Sequence, residues 1–155
     1  MNRTALCCAA TLISGSTVLI GCSSGQASFR TVQICLAGPE EVPAFVSLMD
    51  QIAQANQMTF TNRSGATEAE LRSIGNANVP VAHPHVNIGA DRSGDFSFGA
   101  GNLGLPTRQI AIGFNGSKPD IARQFATRLV AEVATRWRIY EVPDGQGALP
   151  LRDCK

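Results

Sequence analysis

A helical repeat of apolar residues near the C-terminal end sets the first requirement that a fold of this chain must meet. Apolar side chains recur there at every fourth position, at Ile121, Phe125, Leu129, Val133 and Trp137. This spacing places them along one face of an α-helix. Ser117 is suited to cap this helix, and Pro119 is suited to its first turn. Since an apolar stripe is unfavourable in water, the rest of the chain must provide a surface that covers it.

The remaining elements follow from shorter patterns. A second amphipathic helix is predicted over residues 41–55, where apolar residues recur at spacings of three and four. A capping-box pattern, Thr67-Glu68-Ala69-Glu70, predicts a short helix over residues 67–74. Alternation of apolar and polar residues predicts strands near residues 32–36, 58–61, 86–88, 96–98, 110–114 and 139–142. Asp91-Arg92-Ser93-Gly94 is typical of a turn that joins two of these strands in a hairpin.

This order of elements predicts an α+β fold. Two amphipathic helices and several half-apolar strands are satisfied by a two-layer sandwich, with both helices on one face of a largely antiparallel sheet. The layout is similar to a ferredoxin-like split β-α-β arrangement with an added strand. That similarity of layout implies no particular function, because the same architecture serves many functions.

The first 22 residues resemble a bacterial lipoprotein signal. Arg3 gives a basic start, residues 5–20 are largely apolar, and Leu19-Ile20-Gly21-Cys22 resembles a lipobox. The resemblance implies cleavage before Cys22, attachment of a diacylglycerol to its sulfur, and further acylation such as palmitate. The apolar run is shorter than the roughly 20 residues that span a bilayer, so a retained transmembrane helix is the lesser alternative.

The resemblance divides the 155-residue chain into three parts. Residues 1–21 form the signal peptide, residues 22–29 the lipidated cysteine and a flexible tether, and residues 30–155 a single domain. The membrane is thus an expected partner, reached through lipid on Cys22, with the domain facing the periplasm. Ser23, rather than Asp, after the cysteine favours the outer membrane.

Charge and cysteine content limit the function further. The chain has 13 basic and 12 acidic residues, and the basic residues are scattered, which excludes an ordinary nucleic-acid-binding surface. Cys7 and Cys8 leave with the signal and Cys22 carries lipid, so the domain keeps Cys35 and Cys154. In an oxidising periplasm these two are expected to form a disulfide. The alternative is a pair of free thiols.

Two histidines form a candidate metal site. In His83-Pro84-His85 the chain is expected to be extended, so both imidazoles point the same way and can address one metal ion. Metal sites usually have three or four ligands, and Asp91 or Asp95 would have to complete this one. The alternative interpretation is two ordinary loop histidines.

A glycine-rich loop is predicted over residues 99–106. Gly99, Gly101, Asn102 and Gly104 form its candidate binding residues, because glycine lets backbone amides approach a ligand. The run lacks the Lys-Ser/Thr of a phosphate-binding P-loop, and the alternative is a mobile surface loop. Residues 91–95 faintly match a calcium loop, but their composition is that of a hairpin turn.

We therefore expect a non-enzymatic binding or interaction module that needs no cofactor. The residues after the signal contain no G-x-S-x-G motif and no cysteine in a catalytic pattern. The expected partner is a periplasmic protein, such as an envelope-assembly component or a toxin or hydrolase that the module inhibits, or else peptidoglycan. The alternative is a lipoprotein that binds a metal or small ligand through His83 and His85, and a third hypothesis is an unfamiliar hydrolase.

Overall fold

A computed structural model describes residues 28–74, 84–102, 105 and 108–154 of the protein. The signal resemblance, Cys22, His83 and Gly104 lie outside the described residues. Within these ranges the chain forms six strands: β1 Arg30–Cys35, β2 Thr59–Asn62, β3 Asn87–Arg92, β4 Phe96–Gly101, β5 Gln109–Asn115 and β6 Ile139–Glu141. The helices are α1 Val42–Ala55, α2 Ser64–Ile74 and α3 Pro119–Val133, with a 3-10 turn at Pro39–Glu41 before α1.

The strands form one antiparallel sheet in the order β2-β3-β4-β5-β1-β6. At its centre Val32 lies opposite Ile112 and Ile34 opposite Ile110, so apolar residues of neighbouring strands share one face. This confirms the predicted α+β fold and the largely antiparallel sheet. The ferredoxin-like layout is not confirmed in detail, because the β3–β4 hairpin lies between β2 and β5.

Both amphipathic helices cover the same face of the sheet. Phe125 of α3 packs among three phenylalanines of β4 and β5, with ring centroids 4.6, 6.3 and 6.5 Å from those of Phe96, Phe98 and Phe114. Phe45 of α1 meets Trp137 edge to face, with centroids 5.7 Å apart. These side chains belong to one continuous core, which confirms the predicted two-layer arrangement.

The predicted helix begins as expected, with Pro119 in its first turn, but the predicted apolar stripe from Ile121 to Trp137 fails at both ends. Ile121 is 44% exposed, and α3 ends at Val133, so that Trp137 lies beyond it. A spacing of four drifts by about 40° per step on a helix of 3.6 residues per turn, so the repeat cannot stay on one face for its whole length. Trp137 nevertheless remains buried, and its indole N–H donates to the Glu41 carboxylate over 2.9 Å.

The predicted start of the short helix at Thr67 is also wrong. The helix α2 begins at Ser64, where the Asn62 side chain accepts a hydrogen bond from the Ser64 amide over 3.0 Å. Asn62 therefore takes the capping role that the sequence pattern assigned to Thr67. The Thr67 hydroxyl instead accepts a bond from the Asn87 side chain over 2.7 Å, which joins α2 to β3.

Candidate binding face

The face of the sheet opposite α1 and α3 carries small and polar residues, and we call it the open face. Side chains alternate along a strand, so the residues between the buried apolar ones point to this side. On the five strands from β2 to β1 these residues are Thr59, Thr61, Asn87, Gly89, Asp91, Ser97, Gly99, Gly101, Gln109, Ala111, Gly113, Asn115, Thr31, Gln33 and Cys35.

Three glycines lie side by side across the middle of the open face. Gly89 pairs with Gly99, and Gly99 pairs with Gly113, so one cross-strand row has no side chains over three strands. Thr61 and Thr31 flank this row at its two ends. The row therefore exposes backbone where a sheet normally presents side chains.

Local crowding does not explain why the middle position of the row, Gly99, is a glycine. Gly99 is exposed, and a Cβ built there would meet no other atom within 4 Å. A Cβ at Gly113, by contrast, would lie only 2.6 Å from the Ser28 hydroxyl, because Ser28 folds back over this part of the sheet. The space above Gly99 is thus open, and Ser28 forms one side of it.

Two clefts lie on the open face, one on each side of its centre. The first, of about 460 Å³, has Gly99, Gly101, Ala111 and Gly113 as its floor, and Ser28, Thr31, Leu105 and Ala148 also line it. The second is about 600 Å³, and its polar lining consists of Thr59, Thr61, Arg63, Asn87, Asp91 and Ser97. Both clefts therefore combine exposed backbone with hydroxyl, amide and charged groups.

The structure corrects the predicted glycine-rich loop. Gly99 and Gly101 lie within β4, where they alternate with the buried Phe98 and Ala100. The periodicity of the strand thus continues through a stretch whose glycine content suggested a loop. The two glycines contribute to the open face as strand residues.

The Asn102 side chain is buried and bonded to the backbone. It is 3% exposed, accepts a hydrogen bond from the Val86 amide over 2.9 Å and donates one to the Pro84 carbonyl over 3.0 Å. These bonds fix the segment that leads into β3. The contacts of Asn102 are therefore those of a residue that organises the backbone.

His85 lies away from the open face. It lines a groove of about 500 Å³ to which α1, β2 and α2 contribute Asp50, Phe60 and Ser64 among others. In the part of the chain that the structure describes, no group of three or more His, Cys, Asp or Glu side chains could hold a metal ion. The proposed pair of His83 and His85 stays a prediction, since His83 is outside that part.

The two carboxylates considered as further ligands have other contacts. Asp91 accepts a hydrogen bond from the Gly94 amide over 3.1 Å within the β3–β4 turn, where Ser93 and Gly94 both have positive φ. Asp95 pairs with Lys118 over 2.8 Å. These contacts confirm the interpretation of residues 91–94 as a hairpin turn.

The predicted disulfide is present and ties the C-terminal segment to the open face. Cys35 of β1 is bonded to Cys154 over a sequence separation of 119 residues. We call residues 143–154 the C-terminal strap. Its Leu149 carbonyl accepts hydrogen bonds from the side chains of Gln33, over 2.9 Å, and Gln109, over 2.7 Å. The Leu151 amide donates to the Gln109 side chain over 2.8 Å.

No sequence pattern pointed to these two glutamines. Gln33 is 4% exposed and Gln109 is 0% exposed, although both lie on the polar side of the sheet. The predicted disulfide could have pointed to Gln33, which lies two residues from Cys35. A bond from Cys35 to Cys154 requires the segment before Cys154 to pass over this part of β1. The alignment of Gly89, Gly99 and Gly113 had no such signal, because it depends on strand register.

Comparison with known protein families gives no match to this chain, and comparison with curated proteins gives none either. Among the described residues, no helix combines the length and the apolar character that crossing a membrane requires.

Proposed function

We propose that this chain is a lipid-anchored, non-enzymatic binding module of the periplasm that holds a protein partner on its open face. The row of Gly89, Gly99 and Gly113 carries the proposal. Glycine inside a strand loses packing and conformational entropy, and it is favoured where another backbone approaches closely. Gly99 leaves open backbone at the centre of this row, against which a partner segment can lie, while Ser28 lies over Gly113 at one end.

The groups around the row suit a peptide partner. The hydroxyls of Thr59 and Thr61 and the charged groups of Arg63 and Asp91 line the second cleft beside the row. Hydroxyl and charged side chains can bond to peptide N–H and C=O groups of an extended segment. Because charges of both signs occur, the surface favours a partner of mixed polarity over a polyanion.

The location rests on two observations of different kinds. Residues 1–22 resemble a lipoprotein signal, and disulfides such as Cys35–Cys154 persist in oxidising compartments such as the periplasm. The contact of Ser28 with Gly113 supports a tether that leaves the domain over the open face. A partner bound there would lie near the bilayer, in our proposal that of the outer membrane.

Site-specific photocrosslinking in the native host tests the proposal. A photoreactive amino acid at position 99 has room for its side chain, and one at the exposed Gln124 of α3 is the matched control on the opposite side. We expect a defined protein adduct from position 99, absent from position 124 and lost when Ser97→Arg adds a bulky charge to the open face. Equal adducts at both positions, or an adduct insensitive to Ser97→Arg, would contradict the proposal.

A second candidate is the metal- or small-ligand-binding lipoprotein that uses His83 and His85. The observation that favours it is that Asp50 and His85 line the same groove, since both residue types bind zinc. Metal analysis of untagged protein, compared with the His83→Ala/His85→Ala double variant, tests this candidate. A metal content near zero in the unaltered protein would rule out a resident metal.

A further inference from the structure

We infer that the C-terminal strap is a redox-released cover of the open face, held closed by the Cys35–Cys154 disulfide. In the closed state the strap covers the side chains of Gln33 and Gln109. Reduction of the disulfide frees the strap, exposes both glutamines and removes Ala148 from the wall of the first cleft. Release of the strap does not depend on the proposed function, whereas the consequence for a bound partner does.

The non-covalent hold on the strap is weak. Within it, residues 143–147, 149, 150, 152 and 153 are exposed, and Leu149 leaves 63% of its surface in solvent. The bonds from its backbone to the two glutamines number three. Ordering each residue costs about as much as one such bond contributes, so three bonds do not hold about ten residues in place. The disulfide must supply the rest of the constraint.

The residues under the strap suit both states. A permanently covered part of a sheet is usually apolar, as on the helix side, where Ile34 and Ile110 are both 0% exposed. Gln33 and Gln109 bond to the strap backbone when it is closed. They can bond equally well to water when it is open, so release leaves neither glutamine amide buried without a partner.

The two sulfurs differ in access. Cys154 is fully buried, whereas Cys35 is half-buried. A reductant therefore reaches the sulfur of Cys35. A thiolate of a dithiol reductant attacks the Cys35 Sγ, the S–S bond breaks, and the Cys154 sulfur leaves as a thiolate that takes up a proton. The second thiol of the reductant then displaces Cys35 from the mixed disulfide. The chain gains two electrons and two protons, and the reductant becomes a disulfide.

Nuclear magnetic resonance of the whole domain with and without dithiothreitol tests the inference. In the oxidised protein the side-chain amide signals of Gln33 and Gln109 should differ from that of Gln51, which is exposed on α1. After reduction their chemical shifts should approach that of the exposed Gln51 amide, while the chemical shifts of Ile112 and Phe125 should not change. The Leu151 amide should then exchange within about tenfold of an unstructured peptide, with Ile112 protected at least about a hundredfold more.

Two variants control the experiment. The Cys35→Ser/Cys154→Ser double variant should give the reduced spectrum without reductant, which excludes an effect of dithiothreitol itself. In the oxidised protein Gln109→Ala should speed exchange of the Leu151 amide, whereas Gln51→Ala should not. Unchanged glutamine signals after complete reduction would overturn the inference. Comparable exchange at Leu151 and Ile112 in the reduced protein would also overturn it, because the disulfide would then stabilise the whole domain and not the strap.

Discussion

At the scale of single residues, close packing explains one glycine of this protein, Gly116, and does not explain another, Gly99. A Cβ at Gly116 would lie 2.5 Å from the Asp95 carbonyl oxygen and 2.8 Å from the Ala122 Cβ, whereas a Cβ at Gly99 meets open space. Gly116 lets the end of β5 pass close to the β3–β4 turn and to α3. Gly99 has no such steric duty, which is why the proposed binding role is assigned to it.

We expect Gly116→Ala to lower the free energy of unfolding by about 1–3 kcal/mol, because backbone atoms must move to make room. Gly99→Ala should leave it unchanged or raise it by up to about 1 kcal/mol, since alanine restricts the unfolded chain more. Urea denaturation of both variants beside the unaltered protein measures the difference. Equal losses at the two positions would show that the space above Gly99 is not open.

Glu41 provides a test that depends on pH. The Ala37 amide and the Trp137 indole donate to its carboxylate over 2.8 and 2.9 Å, and these bonds lower the pKa of Glu41 below its usual value of 4.5. The unfolded state therefore binds a proton more readily than the folded state. Stability from this group is present above the unfolded pKa and is lost as the pH falls through the folded one.

Accordingly, Glu41→Gln should be less stable than the unaltered protein at about pH 7, and the gap should close towards about pH 3. Urea midpoints across this range measure the gap, and Trp137 fluorescence can report unfolding. Asp50→Asn on α1 is the control variant, because the Asp50 carboxylate lacks these two donors. A gap for Glu41→Gln that stays constant with pH would contradict the assignment.

At the scale of elements, Phe125 joins α3 to the sheet through contacts between aromatic rings. Its ring meets the rings of Phe96, Phe98 and Phe114, whereas Ile121 on the same helix is 44% exposed. Phe125→Ala should lower the free energy of unfolding by about 3–5 kcal/mol. Ile121→Ala should change it by no more than about 0.5 kcal/mol. Thermal or urea unfolding distinguishes this from the sequence pattern, in which the two positions are equivalent.

A helix or strand could be predicted where its apolar residues repeat with one regular spacing. The alternation of Val32 with Gln33 and Ile34 was sufficient for a strand, and the recurrence of Phe125, Leu129 and Val133 for a helix. Their ends could not be predicted in the same way, because ends depend on local bonds such as that between Asn62 and Ser64. The strand at residues 96–98 was predicted, but its continuation through Gly101 was not, because the glycines at 99 and 101 suggested a loop.

The candidate site was less predictable than the fold. Gly99 and Gly101 were identified as binding residues, but as part of a loop and without Gly89 and Gly113. Those two become neighbours of Gly99 only through the pairing of three strands, and pairing register is a long-range property that local sequence does not carry. The covered state of Gln109 likewise depends on where the distant C-terminal strap crosses the sheet.

At the scale of the whole molecule, the proposed anchor makes Cys22 different from the other cysteines of the signal region. Cys22→Ser should abolish incorporation of a palmitate analogue and leave the signal uncleaved, because the thioether on this sulfur precedes cleavage in lipoproteins that the segment resembles. Cys7→Ser is the matched control and should incorporate the label normally. Metabolic labelling followed by mass measurement tests both, and labelling of Cys22→Ser would exclude this residue as the anchor.

Ser28 and the C-terminal strap reach the same side of the domain, and this limits how the protein can be handled in the laboratory. An affinity tag or fluorescent protein joined directly before Ser28 or directly after Cys154 would lie beside the surface on which a partner is proposed to dock. Immobilisation on a sensor chip at either of these two positions would block that surface in the same way. A dye or biotin attached at Gln124, after substitution by a reactive residue, would instead leave it facing solution.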